Sequence, residues 1–246
     1  MAKNDSFIFG IHAVLEALKS GKDLQKVLIK RGSGSDLMKE LLGELRLRDI
    51  PHQQVPIEKL NRLTGKNHQG VIAWLSEITY SSITGILPAI YESGEDPLIL
   101  ILDEVSDVRN FGAIARSAEC AGVHAIVIPH SGSAAINADA IKTSAGALHR
   151  IAVCRSRDLV ATAKFLRESG LRLFAATENA NDTIYATEMS GPAGIILGAE
   201  DRGISFRLLK DADHWISIPM RGSIASLNVS VAAGIILFEV IRQRSQ

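Results

Sequence analysis

The sequence predicts two α/β domains, a small N-terminal one and a larger C-terminal one built on a mostly parallel sheet. Three observations carry this. Short apolar runs of strand type alternate with segments of helical spacing, the pattern of a sheet whose strands are joined by crossover helices. The C-terminal runs are the stronger, and LILIL (98–102) is continuous, as in a strand covered on both faces. Between the two regions, 76–97 breaks the pattern with Ser81, Ser82, Gly85, Pro88, Ser93, Gly94 and Pro97. The domains are therefore expected at 1–78 and 97–246, with 79–96 as a linker holding a weak bridging helix over 83–91.

In the first region, Ile11, Val14, Leu15 and Leu18 recur at helical spacing over 10–20, and KVLIK (26–30) reads as a strand. Leu37, Leu41, Leu42 and Leu45 share one face of a helix over 36–47, with Ser35 as its N-cap. Strands follow over 52–55 and 70–75, with a short helix over 57–63 between them. In the second region strands are expected at 98–102, 125–128, 172–176, 194–197 and 215–218. Helices fit at 110–121, 159–169, 206–210 and 227–242. Ligands then belong beyond the carboxyl ends of the strands.

Composition narrows the function classes. The chain has 246 residues, 46% hydrophobic and 22% charged, as in an ordinary globular protein. Cys120 and Cys154 both lie in apolar stretches, which suits a reducing cytoplasm rather than a disulfide framework. The longest apolar run, 229–241, is too short for the ~20 residues that span a bilayer, and MAKNDSFIFG lacks the layout of a signal peptide. No membrane association is expected. The net charge of zero hides an asymmetry: 1–80 holds 12 basic and 9 acidic residues, 81–246 holds 15 and 18. A mild basic excess hints at a polyanionic partner for the first region, although solubility explains it equally well.

Several motifs fail. GSGSDL (32–37) sits between a strand and a helix, but Leu37 occupies the third glycine position and no ribose-binding acid ends the next strand. There is no G-x-x-x-x-G-K-[ST], no G-x-S-x-G, and no Cys/His pairing at zinc spacing. No metal is expected.

Three segments carry chemistry. LDEVSDVRNFGAIARSAECAGV (102–123) leaves a strand, crosses a polar loop and enters a helix of small residues. Such a helix packs closely, so Arg116 is expected to be partly buried, protonated and paired, either with a structural carboxylate or with a ligand. Asn110 reads as an N-cap. In IILGAEDRGIS (195–205), Gly198 would let a ligand approach the backbone, and Glu200 could reach a polar group or meet Arg116; an exposed acidic turn is the simpler alternative. In SIPMRGSIASLNVSVAAGIILFE (217–239), Ser226 and Asn228 open a helix whose apolar residues cover nearly its whole circumference, so it is expected to be buried all round.

Taken together, N-F-G-A-I-A-R-S-A, L-G-A-E-D-R-G-I and I-P-M-x-G-S-x-x-S-L-N-V-S-V-A-A-G resemble the three signature motifs of the SpoU/TrmH branch of the SPOUT RNA methyltransferases. F-G-I-H-A-V-L-E-A-L (9–18) and H-Q-G-V-I-A (68–73) resemble the small RNA-binding domain of the family's ribosomal-RNA members. The closest likeness is to members that methylate a guanosine ribose in 23S rRNA. Two departures are visible. Asp107 is followed by Val108 rather than Pro, and Glu200 by Asp201 rather than Gly.

The resemblance implies a deep trefoil knot, S-adenosylmethionine as methyl donor, S-adenosylhomocysteine as product, and a homodimer through the C-terminal domain with the site at its interface. Gly198, Ile218 and Leu227 would contact the cofactor through their backbones, with Thr177 and Met220 nearby. Arg116 would be the central catalytic residue, supported by Asn110, Glu200, Ser226 and Asn228. Lys22, Lys26, Lys30, Arg31, Lys66 and His68 are candidates for RNA contact. The RNA would be free rRNA or an assembling large subunit. A tRNA ribose methyltransferase of the same branch, a resistance methyltransferase acting on adenosine and a non-catalytic rRNA-binding scaffold are the alternatives.

Overall fold

A computed structural model describes residues 7–224 and 226–246. The chain divides into two compact units, Met1–Thr79 and Tyr80–Gln246.

The first unit contains β1 (Phe7–Phe9), α1 (Ile11–Lys19), β2 (Leu24–Lys30), α2 (Asp36–Leu47), β3 (His52–Val55), α3 (Ile57–Leu63) and β4 (Val71–Leu75). Its sheet runs β1-β4-β2-β3, with only β2 and β3 parallel. Strand alternation sends Val27, Ile29, Val71 and Ala73 to the face covered by α1 and α2, where Val14, Leu18, Leu41 and Leu45 meet them. Leu28, Ile72 and Trp74 go to the opposite face with Val55 and Leu60. Ser35 caps α2, its hydroxyl accepting from the Met38 amide at 3.3 Å. β1 lies outside the sequence reading, because three residues are too few to show alternation.

The second unit contains β5 (Tyr80–Ser81), α4 (Ile83–Glu92), β6 (Leu98–Asp103), α5 (Val108–Cys120), β7 (Ala125–Pro129), α6 (Ala138–Thr143), a 3₁₀ turn (Ala147–His149), β8 (Ala152–Ser156) and α7 (Leu159–Glu168). There follow β9 (Arg172–Ala176), β10 (Asp182–Thr183), β11 (Ala193–Gly198), α8 (Phe206–Asp211), β12 (His214–Ser217) and α9 (Val229–Arg244). The sheet, ordered β10-β12-β9-β11-β6-β7-β8-β5, is parallel at every pairing.

Residues 79–96, read as a linker, carry β5 and α4. Ile83, Leu87 and Ile90 of α4 are buried in the second unit's core, because their i, i+4, i+7 spacing makes an apolar stripe that outweighs Gly85 and Pro88. α5 starts two residues earlier than its spacing suggests. Asp107, not Asn110, is the N-cap and accepts from the amides of Arg109 and Asn110 at 2.9 and 2.8 Å. α9 is not buried all round: Val231 is 49% and Phe238 52% exposed, seven residues apart on one side of the helix. No helix among the described residues is long and apolar enough to cross a membrane.

Candidate active site

A cleft of about 510 Å³ opens beyond the carboxyl ends of β9, β11 and β12, where an open parallel sheet places its ligands. Each strand delivers a short segment to it: Thr177 to Asn179 after β9, Gly198 to Ile204 after β11, and Ile218 and Met220 after β12. Ser226, Leu227 and Asn228, just before α9, close the remaining side.

The loop after β11 is tightly tied. The Gly203 amide, at φ 66°, donates to the Ala199 carbonyl at 2.8 Å. A Cβ on Gly198 would lie 2.0–2.3 Å from backbone atoms of Gly203 and Ile204. Gly198 is therefore required by the fold's own backbone, which returns across it; the sequence argument assigned that space to a ligand. Asp103, buried at the end of β6, accepts from the Ser205 amide at 2.7 Å and pins the far end of the same loop. Arg202 meets Glu104 at 3.0 Å and Asp201 at 3.4 Å. Asp103 carried no role in the sequence reading, although an acid that ends a wholly apolar strand was a usable signal.

Glu200 is not a free acidic turn. Its Oε1 accepts from Asn228 Nδ2 at 2.5 Å and from the Val229 amide at 3.2 Å, so a carboxylate sits on the N-terminus of α9. Asn228 Nδ2 also donates to Asn110 Oδ1 at 3.0 Å, while Asn228 Oδ1 caps α9 by accepting from the Ser230 amide at 3.0 Å. One side-chain amide thus joins all three motif segments.

Arg116 stands apart. It is exposed, does not line the cleft, and has no carboxylate partner among the described residues. The close packing expected of α5 is present, but other residues make it. A Cβ on Gly112 would lie 2.7 Å from Thr143 of α6, Ala115 and Ala118 are buried, and Ser117 faces Gly234 of α9. Arg116 lies on the opposite line with Arg109, Ala113 and Cys120. The expectation that it is partly buried is corrected accordingly.

His68 is likewise corrected as an RNA contact. It is buried, with Nδ1 accepting from the Gly70 amide at 3.0 Å and Nε2 2.8 Å from Asn61 Oδ1. Both ring nitrogens are thereby engaged within the fold.

Thr177, Gly198, Ile218, Met220 and Leu227 all line the cleft, and so do Glu200, Ser226 and Asn228. Apolar walls from Leu197, Ile204 and Leu209 stand beside a polar rim of Glu178, Asn179 and Glu200. That mixture fits an adenosyl group carrying a charged amino-acid tail: a slot for a flat ring and acceptors for an ammonium. The described residues hold no His/Cys/Asp/Glu group that could bind a metal.

This fold and cleft are those of an RNA-modifying methyltransferase. The model of the SpoU rRNA methylase family matches residues 97–238, and that of the RNA 2′-O ribose methyltransferase substrate-binding domain matches 7–81. The chain belongs to the SpoU rRNA methylase family. It is 38% identical to the 23S rRNA (guanosine-2′-O-)-methyltransferase RlmB of Yersinia pestis, over 96% of this chain and 97% of that protein. Among solved structures, the SpoU methyltransferase AviRb of Streptomyces viridochromogenes with AdoMet has the same fold, with a TM-score of 0.61 and 24% identity over 97% of this chain and 90% of that one. The A. aeolicus TrmH/SpoU tRNA-modifying enzyme is 30% identical but covers only 61% of this chain and 77% of its own, with a TM-score of 0.57.

Proposed function

We propose that this protein transfers a methyl group from S-adenosylmethionine to the ribose 2′-hydroxyl of a guanosine in 23S rRNA, as free RNA or in an assembling large subunit, and releases S-adenosylhomocysteine. It would work in the cytoplasm, where two unpaired cysteines belong. The observation that carries the reaction is the junction of Asn110, Glu200 and Asn228 on one amide beside the cleft. The target follows from the Yersinia pestis relative, which resembles this chain from end to end, whereas the tRNA-modifying enzyme covers only 61% of it.

Bound S-adenosylmethionine supplies a methyl group that its sulfonium already makes electrophilic. The chain's task lies with the nucleophile, because a ribose hydroxyl is a weak acid. A guanidinium with a pKa above ~12 is a costly base, so Arg116 serves as a preorganised positive charge for the developing alkoxide. Ser226 and Asn228 orient the hydroxyl or relay its proton to an RNA phosphate or to solvent water. Glu200 and Asn110 hold Asn228 in place, and direct transfer would require attacking oxygen, methyl carbon and sulfur near one line.

Arg116 lies outside its own cleft, and this reading therefore includes a homodimer in which the partner subunit's Arg116 enters it. The exposed apolar side of α9, with Val231 and Phe238, supports such pairing. The reading also includes the trefoil knot. It is supported by the strand order β12-β9-β11, in which the last strand lies outside two earlier ones before the chain returns to Glu200.

Labelled S-adenosylmethionine offered with unmodified 23S rRNA, 16S rRNA and tRNA tests the proposal. One alkali-resistant guanosine linkage in 23S rRNA is expected; label confined to tRNA would overturn the target. Arg116→Ala should keep cofactor binding and lose turnover by several powers of ten, and Arg116→Lys should also be poor because the planar fork is lost. Mixing Arg116→Ala chains with Asn228→Ala chains should restore activity that neither has alone. A mixture that stays inactive, though mixed dimers form, would place Arg116 in its own chain's site.

A further inference from the structure

The two sides of the first unit handle charge differently. On the helix side, Lys19 pairs with Glu40 at 3.1 Å, Lys39 with Asp36 at 2.9 Å and Arg48 with Glu44 at 3.0 Å. On the opposite face of the sheet, Lys26, Lys30 and Lys66 are exposed and have no carboxylate partner among the described residues. Instead, Lys26 Nζ lies 4.4 Å from the centre of the Trp74 ring, and Lys66 Nζ 5.7 Å from that of Phe9. Phe7 joins them, its ring 6.0 Å from Trp74 and 6.3 Å from Phe9. Lys30 shares the face with Leu28 by strand alternation.

Trp74 itself is only 7% exposed, buried with Leu28, Val55, Leu60 and Ile72, whereas Phe7 and Phe9 are half-buried at the edge of that cluster. Two part-open rings flanked by ammonium groups that no carboxylate neutralises form a surface complementary to an unpaired, stacked polyanion. Bases of a duplex are stacked on one another and do not offer their faces, whereas those of a single strand do. Resting on the methyltransferase reading above, we propose that this sheet face docks a single-stranded segment of the RNA substrate, with bases on the Phe7 and Phe9 rings and phosphates on Lys26, Lys30 and Lys66. Lys26 turns from the Trp74 ring to a phosphate, so that binding is felt at this buried ring. Loops and splayed strands of folded RNA are then what this unit selects.

The full-length chain tests this. Trp74 and Trp215 are its two tryptophans, and Trp215→Phe leaves Trp74 as the reporter. An unstructured RNA of about 12 nucleotides should change its fluorescence by drawing Lys26 off the ring and stacking on the neighbouring Phe7. Lys26→Ala with Lys66→Ala should weaken binding of that RNA and of a 23S rRNA transcript roughly tenfold, and should lower the salt slope by about 1.4. Arginine at both positions should rescue affinity, and Lys19→Ala with Lys39→Ala should leave it unchanged. Binding with no change at Trp74, unaltered affinity in the Lys26/Lys66 variant, a preference for duplex, or an equal loss in the helix-side variant would each overturn this surface while leaving the methyltransferase standing. A wild-type chain that methylates no RNA would overturn the enzyme and the surface with it.

Discussion

At the scale of single residues, Gly198 shows how a correct position can be noticed for the wrong reason. A glycine between an apolar strand and an acid is visible in sequence, but what fills the missing side chain is not. Here it is backbone from five residues onward. Gly198→Ala is expected to destabilise the chain by about 3 kcal/mol and abolish cofactor binding, read by thermal unfolding and calorimetry. Arg116 is the reverse case. Its residue type and setting were legible, but small neighbours do not reveal on which side of a helix an arginine emerges. Cys154 supplies a pH prediction. Burial raises its thiol to about 12 from an ordinary 9.0. Above pH 9 the unfolded chain loses that proton and the folded one does not, so stability should fall by up to about 1.4 kcal/mol per pH unit until about pH 12. Cys154→Ala should flatten that part of the curve in chemical denaturation.

Among elements, periodicity located most of what is long enough to have a period. α2, β3 and α3 end where their patterns end, and the strands of the second sheet fall within a residue or two of the expected runs. What escaped was short or disguised. β1, β5 and β10 have two or three residues, and β8 closes on Arg155 and Ser156. α9 read as buried because apolar residues ring it, yet burial depends on how many neighbours exist to cover them. Its start is the more informative end. Glu200→Ala removes a carboxylate from the helix N-terminus and an anchor from Asn228. A loss of roughly 1 kcal/mol is expected from thermal unfolding, with a much larger fall in methyl transfer.

For the molecule as a whole, the division into two units was legible, but its edge was not, since Ser, Gly and Pro disguised a helix that the second core requires. Truncation before Tyr80 should weaken RNA binding and leave cofactor binding intact, whereas truncation before Pro97 should also unfold the sheet's edge, as circular dichroism would report. The proposed knot and dimer have no signature in composition or spacing and rest on family resemblance. The amide of Asn228 has a consequence for how the enzyme comes into being. Asn110 and Glu200 are made long before the residue that unites them, and α9 must follow to hold it. A chain still being synthesised has its first domain free to fold early, yet the proposed centre stays incomplete until Asn228 and α9 have emerged. Methyl transfer by the proposed mechanism thereby waits on the synthesis of Asn228 and the helix behind it.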